Sequence, residues 1–319
     1  SLTAMGTSAV GTELSMMLSQ LLDDAEIDDL HRLSGGASRE TWRFTADGRP
    51  LILQRQRSGD QRNMLVEAGV VSAARRGGVP VPELIEARRR DDGMAFMVLE
   101  AIDGETIARK IQRDPDFASA RPRLAADFGD ALAKIHALDP AQLDGLEATD
   151  QLTYYIDLLD SLRQPHPVLE LVHNWLVDTR PTSKRTCVVH GDFRLGNIIV
   201  GPDGLRAVID WELAHLGDPM EDLGWLCVKA WRFGGGPPVA GLGEYDELFA
   251  AYEAAGGGPV DPVVVHWWEV LGTWKWAIMC ILQASVHLTG MTRSHELAAI
   301  GRRVCENEHD LLRSLEGRW

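Results

Sequence analysis

Alternating apolar and polar positions, typical of strands, dominate the first hundred residues. Residues 12–30 differ, because leucine and methionine recur there at helical spacing and predict an amphipathic helix. Strand-like segments then lie on both sides of a Gly-Gly pair, and a third follows an Asp-Gly turn. A helical segment at 63–75 comes next, and two further strand-like segments joined by an Asp-Asp-Gly turn follow it. The pattern predicts a small, mostly antiparallel sheet with one inserted helix over residues 1–101.

From residue 102 to residue 319 the apolar positions recur mainly at helical spacing. Residues 245–316 form a long helical stretch that a Gly-rich segment interrupts. Short β segments break the helical pattern at 187–189, 197–200 and 207–209. The sequence therefore predicts an α+β protein with a β-rich N-terminal lobe and a larger, mainly helical C-terminal lobe.

The balance of charge limits the classes of partner. There are 47 acidic and 32 basic side chains, a net charge of -15, which disfavours nucleic acid and anionic membranes. The most apolar stretch, 263–286, contains His266, Glu269 and Lys275, so a buried helix is expected there and not a membrane span. The four cysteines lack metal-ligand spacing and no leader-like pattern is present, so a cytoplasmic protein with reduced thiols is expected. The oligomeric state stays open.

The candidate chemistry is concentrated in two segments, HGDFRLGNIIV at 190–200 and AVIDWELAH at 207–215. Asp192 and Asn197 are five residues apart, and Asp210 follows thirteen residues later. Protein kinases use this spacing for a catalytic Asp and for the Asn and Asp that bind Mg²⁺. A carboxylate at Asp192 would accept the proton of an acceptor hydroxyl, while Asn197 and Asp210 offer the oxygen ligands that Mg²⁺ prefers.

These two segments, continued to residue 226, resemble the aminoglycoside phosphotransferase and choline kinase family. The shared signature is HGD, then Asn after four residues, then IDW and a later Asp. The resemblance covers about residues 28–316 and implies a protein-kinase-like two-lobed fold, ATP and Mg²⁺ as cofactors, and phosphoryl transfer to a hydroxyl group of a small molecule. The segment HWWEVLGTWKWAIMCILQ resembles the branch related to kinase domains found beside acyl-CoA dehydrogenases.

The N-terminal lobe contains the expected nucleotide-binding residues. Gly35 and Gly36 would let backbone N–H groups approach the phosphates of ATP, with Ser38 as a side-chain partner. The segment FMVLEAIDGE resembles the part of a kinase whose backbone binds adenine, which assigns that contact to the stretch from Glu100 to Ile102.

One position departs from the kinase pattern. Where a kinase strand places a lysine for the α- and β-phosphates, this chain has Gln54, followed by Arg55. A shift of one residue exchanges the two faces of a strand, so the sequence leaves open which of the two side chains faces the phosphates. Glu67, in the inserted helix, matches the glutamate that pairs with such a cation.

The predicted function is therefore ATP- and Mg²⁺-dependent phosphorylation of a small hydroxyl compound. Arg194 is expected to neutralise charge on the transferred phosphoryl group. Lys275, between two tryptophans, is expected to bind an anionic acceptor, such as a hydroxyacyl compound or its CoA thioester. The alternatives are an aminoglycoside phosphotransferase and a catalytically inactive nucleotide-binding module. Gln54, in place of the kinase lysine, favours only the inactive module.

Overall fold

The computed structural model describes residues 2–33, 39–57, 60, 62–90, 92–183 and 185–318. The chain divides into two compact units, Ser1–Asp103 and Gly104–Trp319. Each unit has its own hydrophobic core.

The first unit is a sheet with two helices. Its elements are α1 Leu2–Leu21, β1 Ile27–Arg32, β2 Arg39–Ala46, β3 Arg49–Gln56, α2 Met64–Arg76, β4 Leu84–Arg89 and β5 Ala95–Glu100. These strands pair antiparallel in the order β1-β2-β3-β5-β4 over the residues described. The predicted antiparallel sheet with an inserted helix is confirmed.

The predicted helix over residues 12–30 is wrong in its second half. The helix ends at Leu21, and Asp23 and Asp24 then have φ angles of 56° and 64°. This left-handed backbone cannot continue a right-handed helix, and aspartate is among the few residues that tolerate it. The chain therefore turns here and enters β1 at Ile27.

The core of the first unit lies between α1 and one face of the sheet. Leu14 and Leu18 of α1 are buried against a set of strand residues that share this face. The strand residues are Trp42, Phe44, Leu51, Leu53, Phe96 and Val98. Because side chains alternate along a strand, the residues between them point to the opposite face, where α2 packs against β4 and β5.

The second unit is mainly helical. Its helices are α3 Ala108–Arg113, α4 Leu124–His136, α5 Gln151–Leu162, α6 Pro167–Asp178, α7 Met220–Cys227, α8 Tyr245–Ala254, α9 Pro262–Leu288, α10 His295–Ile300 and α11 Arg303–Leu315. Its strands are β6 Cys187–Val189, β7 Ile198–Gly201, β8 Gly204–Val208 and β9 His215–Gly217. They pair antiparallel as β6 with β9 and β7 with β8.

Helix α9 forms the centre of the second unit. It packs against α5, α6, α7 and α11. The indole N–H of Trp274 donates to the carbonyl of Leu169 at 2.9 Å, so the buried ring keeps a partner for its polar atom. Over the residues that the structure describes, no helix combines the length and apolar content that a bilayer span requires.

Helices α7 and α9 approach each other closely at Gly224. A Cβ atom at this position would lie 2.6 Å from the Cβ of Trp268 and 2.8 Å from the backbone nitrogen of Glu269. Since real Cβ atoms do not approach other heavy atoms so closely, only glycine allows this packing. The contact matters because α7 also contains Asp222 and Trp225.

We predict that Gly224→Ala lowers the free energy of unfolding by about 1–3 kcal/mol, because the added methyl group forces α7 away from α9. Gly69→Ala is the matched control, since Gly69 is also inside a helix but a Cβ added there would meet no neighbouring atom within 4 Å. It should leave stability unchanged or raise it by about 0.5–1 kcal/mol. Urea denaturation of both variants measures the difference, and equal stabilities would contradict the packing argument.

Candidate active site

Asp192 lies in the loop between β6 and β7, and its side chain is fixed by three donors. Its Oδ1 atom accepts hydrogen bonds from Arg194 Nε at 2.9 Å and from Trp225 Nε1 at 2.8 Å. Its Oδ2 atom accepts from Asn197 Nδ2 at 2.6 Å. The carboxylate therefore has a defined orientation, and Oδ2 retains a second lone pair for a further donor.

Asn197 links this loop to the segment that carries Asp210. Its Nδ2 atom also donates to the carbonyl of Asp192 at 3.0 Å, and its own carbonyl accepts from the N–H of Ile209 at 2.9 Å. The β7–β8 hairpin pairs Ile198 with Val208, so Asp210 emerges beside Asn197. Asp210 has a φ angle of 64°, a left-handed conformation that aspartate tolerates and that turns the chain here. The structure thus brings Asp192, Asn197 and Asp210 together.

The residues at this position fit a nucleotide-bound Mg²⁺. Among the residues that the structure describes, no group of three or more His, Cys, Asp or Glu side chains is arranged to hold a metal ion. Asn197 and Asp210 would supply one amide oxygen and one carboxylate oxygen. Mg²⁺ commonly takes one or two protein ligands and completes its shell with phosphate oxygens and water.

Asp222 of α7 supports the backbone of the loop that carries Asp192. Its two carboxylate oxygens accept from the backbone N–H groups of His190 at 2.7 Å and Gly191 at 2.9 Å. Asp222 is completely buried and also contacts His136 Nε2 at 3.1 Å. Burial alone would raise the pKa of Asp222, but His136 and the loop N–H groups outweigh it and hold the pKa below its ordinary value. The carboxylate is therefore charged at neutral pH.

The side chain of His190 is also structural. Its Nε2–H donates to the carbonyl of Ile209 at 3.1 Å, and its Nδ1 accepts from the N–H of Asp192 at 3.2 Å. Complete burial lowers the pKa of His190, which favours the neutral ring that this pattern of one donor and one acceptor requires. His190 therefore ties the loop to the strand end that precedes Asp210.

An aromatic cluster lines the other side of Asp192. The guanidinium carbon of Arg194 lies 4.7 Å from the ring centroid of Trp231, and Trp225 and Trp231 are in contact. A guanidinium held by a carboxylate and by an aromatic face is restricted to one orientation. Arg194 is thus positioned next to the carboxylate that it is predicted to assist.

Lys275 packs against the Trp225 ring. Its ammonium nitrogen is 4.7 Å from the Trp225 centroid, 5.4 Å from the Tyr155 centroid and 4.0 Å from Glu221 Oε1. Burial alone would lower the pKa of Lys275, but Tyr155, Glu221 and Asp192 raise it above its ordinary value. Lys275 is 3% exposed, so it is a buried, charged group. The Trp225 ring lies between it and Asp192.

In the first unit, the register of the sheet separates Gln54 from Arg55. Thr41 is opposite Gln54, and Glu40 is opposite Arg55. Gln54 therefore lies on the face that also carries Arg39 and meets Glu67, whereas Arg55 lies on the α1 face and is 3.9 Å from Glu40. The two alternatives that the sequence left open are thus on opposite sides of the sheet.

The other predicted nucleotide contacts are less defined. Gly35, Gly36 and Ser38 lie outside the described residues. The N–H of Glu100 donates to the carbonyl of Glu83 at 2.9 Å. This N–H is therefore already paired within the first unit, and the adenine contact expected from Glu100 to Ile102 stays a prediction.

Sequence reasoning missed two side chains in these clusters. Trp225 is 33 residues from Asp192, and no motif connects them; only the folding of α7 onto the loop brings the indole N–H to the carboxylate. Arg39 was overlooked because the kinase pattern directs attention to the next strand. In the sequence, Arg39 begins a strand in which apolar residues, Trp42 and Phe44, alternate with polar ones. In the structure, Arg39 is on the face opposite to these two residues and is 4% exposed.

Comparison with known proteins supports the kinase resemblance. Acyl-CoA dehydrogenase family member 10 of Mus musculus is 27% identical over an alignment of 239 positions, which covers 68% of this chain and 22% of that protein. This chain therefore spans less than a quarter of that relative. A choline/ethanolamine kinase family protein from Mesorhizobium loti has a TM-score of 0.63 at 21% identity, covering 90% of this chain and 91% of the other.

The GDP complex of aminoglycoside 2'-phosphotransferase-IIIa is similar as well, with a TM-score of 0.68 at 13% identity, covering 94% of this chain and 99% of the other. At these identities the structural likeness establishes the protein-kinase-like fold, as the sequence predicted. Residues 29–262, more than half of the chain, match the model of the phosphotransferase enzyme family. The chain belongs to this family.

We predict that Asp222→Asn destabilises the second unit by roughly 3 kcal/mol at neutral pH, because an amide cannot accept from both loop N–H groups and leaves one unpaired. The pKa of Asp222 is lowered on folding, so the contribution of its charge is complete above the ordinary carboxyl pKa and is lost as the pH falls through the folded value.

The difference between Asp222→Asn and the parent protein should therefore be constant from about pH 8 to 6 and shrink below about pH 4. Asp130→Asn, on the exposed side of α4, is the control and should have little effect at any pH. Urea denaturation across this pH range measures both. A difference for Asp222→Asn that grows on acidification would contradict the assigned charge.

Proposed function

We propose that the protein transfers the γ-phosphoryl group of Mg²⁺-bound ATP to a hydroxyl group of a small molecule. The observation that supports this most directly is the carboxylate of Asp192, which is fixed by three donors beside Asn197 and Asp210. Phosphoryl transfer depends on positioning and charge neutralisation more than on covalent chemistry by the protein. A rigid carboxylate would provide the positioning, and the two oxygen ligands would hold the Mg²⁺ that neutralises charge.

In this proposal Asp192 orients the acceptor hydroxyl and accepts its proton as the oxygen attacks the γ-phosphorus. Arg194, held against Trp231, supplies positive charge near the oxygens of the transferred group. Asn197 and Asp210 would hold Mg²⁺, which neutralises phosphate charge when it is bound. Asp222 and His190 maintain the loop and do not contact the reacting atoms.

For the acceptor, we propose an apolar molecule with an anionic end, such as a hydroxyacyl compound or its CoA thioester. Lys275 supports this assignment, because it is a buried cation surrounded by Tyr155 and Trp225 and is one ring away from Asp192. Such surroundings suit a hydrocarbon body that ends in a carboxylate or a similar anion. The relative named as an acyl-CoA dehydrogenase family member is consistent with acyl chemistry.

An aminoglycoside acceptor is the alternative, since the GDP-bound neighbour has that substrate class in its name. A polycationic sugar requires accessible carboxylates. Glu269 of α9 is 1% exposed, and its carboxylate accepts from Arg232 Nη2 and Tyr245 Oη, both at 2.8 Å. This acidic residue of α9 is therefore engaged in the packing between helices, as Lys275 is with Glu221, so burial alone does not separate the two acceptor classes.

We predict that Asp192→Asn lowers kcat for phosphoryl transfer by roughly 100-fold or more, the scale of a positioned acid–base group, and leaves nucleotide affinity nearly unchanged. Asp203→Asn, on the exposed β7–β8 turn, is the matched control and should keep full activity. Steady-state ADP release and nucleotide titration measure the two effects. If Asp192→Asn kept its rate but lost nucleotide affinity, Asp192 would be a metal ligand.

We predict that hydroxyacyl compounds and their thioesters stimulate ADP release more than kanamycin-type sugars do.

Replacing Lys275 and Glu221 together, Lys275→Met with Glu221→Gln, removes the cation without leaving a buried carboxylate unpaired. This variant should raise KM for the anionic acceptor and leave KM for ATP unchanged. Lys134→Met on α4 is the control. Efficient phosphorylation of an aminoglycoside, without any response to hydroxy acids or their thioesters, would overturn this acceptor class.

A further inference from the structure

We propose that Arg39 of β2 is the cation that binds the phosphates of the nucleotide, in place of the lysine that the kinase pattern puts at position 54. This inference rests on the proposed kinase function and adds a residue to it. It explains how a chain with Gln54 can still neutralise the charge of a nucleoside triphosphate.

The first support is the ion pair between Arg39 and Glu67. Arg39 Nη1 donates to Glu67 Oε1 at 2.8 Å, and Nη2 contacts Glu67 Oε2, so the pair is bidentate. Both side chains are 5% exposed. Glu67 is the helix residue that matches the partner of the phosphate-binding cation in the kinase pattern, and its partner here comes from β2.

The second support is the position of Gln54. Its Oε1 atom accepts from Arg39 Nη1 at 3.3 Å, so the guanidinium group lies at the tip of the Gln54 side chain. A lysine side chain is one bond longer than glutamine, so a lysine at position 54 would extend its ammonium group towards the guanidinium group of Arg39. The charge thus has the location expected for the missing lysine, although it arrives from the neighbouring strand.

Arg55, the cation that the sequence suggested for this role, is excluded by the register of the sheet. Arg55 is opposite Glu40 and lies on the α1 face, whereas Arg39 and Gln54 are on the face that meets Glu67. Arg39 is also the first residue of β2, shortly after the Gly-Gly segment that is predicted to cover the phosphates. Sequence position and sheet geometry therefore both favour Arg39.

The energetics favour a functional role over a stabilising one. Removing an arginine and a glutamate from water is costly, and an apolar pair of similar volume commonly stabilises a fold as well or better. A guanidinium group is a planar fork of N–H donors that matches phosphate oxygens bidentately. Glu67 holds this fork in place from one edge.

The decisive measurement is nucleotide affinity, independent of turnover. Isothermal titration of Mg²⁺-ADP and Mg²⁺-ATP is compared for the parent protein, for Arg39→Gln with Glu67→Gln, and for Arg55→Gln. The double variant avoids an unpaired buried carboxylate. It should bind Mg²⁺-ATP about 10- to 100-fold more weakly, the scale of one lost charge-assisted contact. Arg55→Gln, which removes the same charge from the opposite face, should bind like the parent.

A transfer of the charge gives the sharpest test. In the variant that combines Arg39→Gln with Gln54→Lys, the ammonium group reaches Glu67 from β3, and affinity should return to within a few-fold of the parent. Unchanged affinity in the Arg39→Gln, Glu67→Gln variant, or no recovery in a folded Gln54→Lys variant, would overturn the role of Arg39. Failure of the parent protein to bind any Mg²⁺-nucleotide would instead refute the proposed kinase function.

Discussion

The buried carboxylate of Asp222 is the contact on which the candidate active site depends. Two consecutive backbone N–H groups, of His190 and Gly191, point at its oxygens, and this shapes the loop that presents Asp192. Gly191 has a φ angle of 77°, and its Cα faces the carbonyl of Leu213, so a side chain would not fit. The loop is therefore defined by one charge and one glycine.

The stability of this arrangement comes from the helices behind it. Asp222 and Trp225 are both on α7, so one short helix supports the loop backbone and also donates a hydrogen bond to Asp192. Helix α7 is fixed in turn by its close approach to α9 at Gly224. The length of α9 and its buried tryptophans thus bear on the candidate site, because they position the helix that donates a hydrogen bond to Asp192.

Much of this organisation could be predicted from the sequence. The strand and helix periods indicated the two units, and the spacing of Asp192, Asn197 and Asp210 indicated the candidate catalytic set, because those residues are joined by a short hairpin that local pattern specifies. Contacts between distant segments could not be predicted. Trp225 meets Asp192 through tertiary packing, and the pairing of Arg39 with Glu67 depends on the sheet register and on the placement of α2.

The same limit explains the errors. The end of the first helix was misplaced because apolar residues continue beyond Leu21, while two aspartates adopt a left-handed backbone that periodicity does not encode. The choice between Gln54 and Arg55 stayed open because adjacent strand residues differ only in the face to which they point. One pairing, Thr41 with Gln54, separates them.

The central claim is transfer of a phosphoryl group to a hydroxyl. Phosphorus NMR of the protein with Mg²⁺-ATP and a mixture of hydroxy acids, their thioesters and hydroxylated amines tests it most directly, because the spectrum shows where the γ-phosphorus goes. A new phosphomonoester signal that grows in proportion to ADP, and that fails to form when Mg²⁺ is chelated, is the predicted result. ADP accompanied only by inorganic phosphate, or no consumption of ATP with any acceptor, would contradict the account.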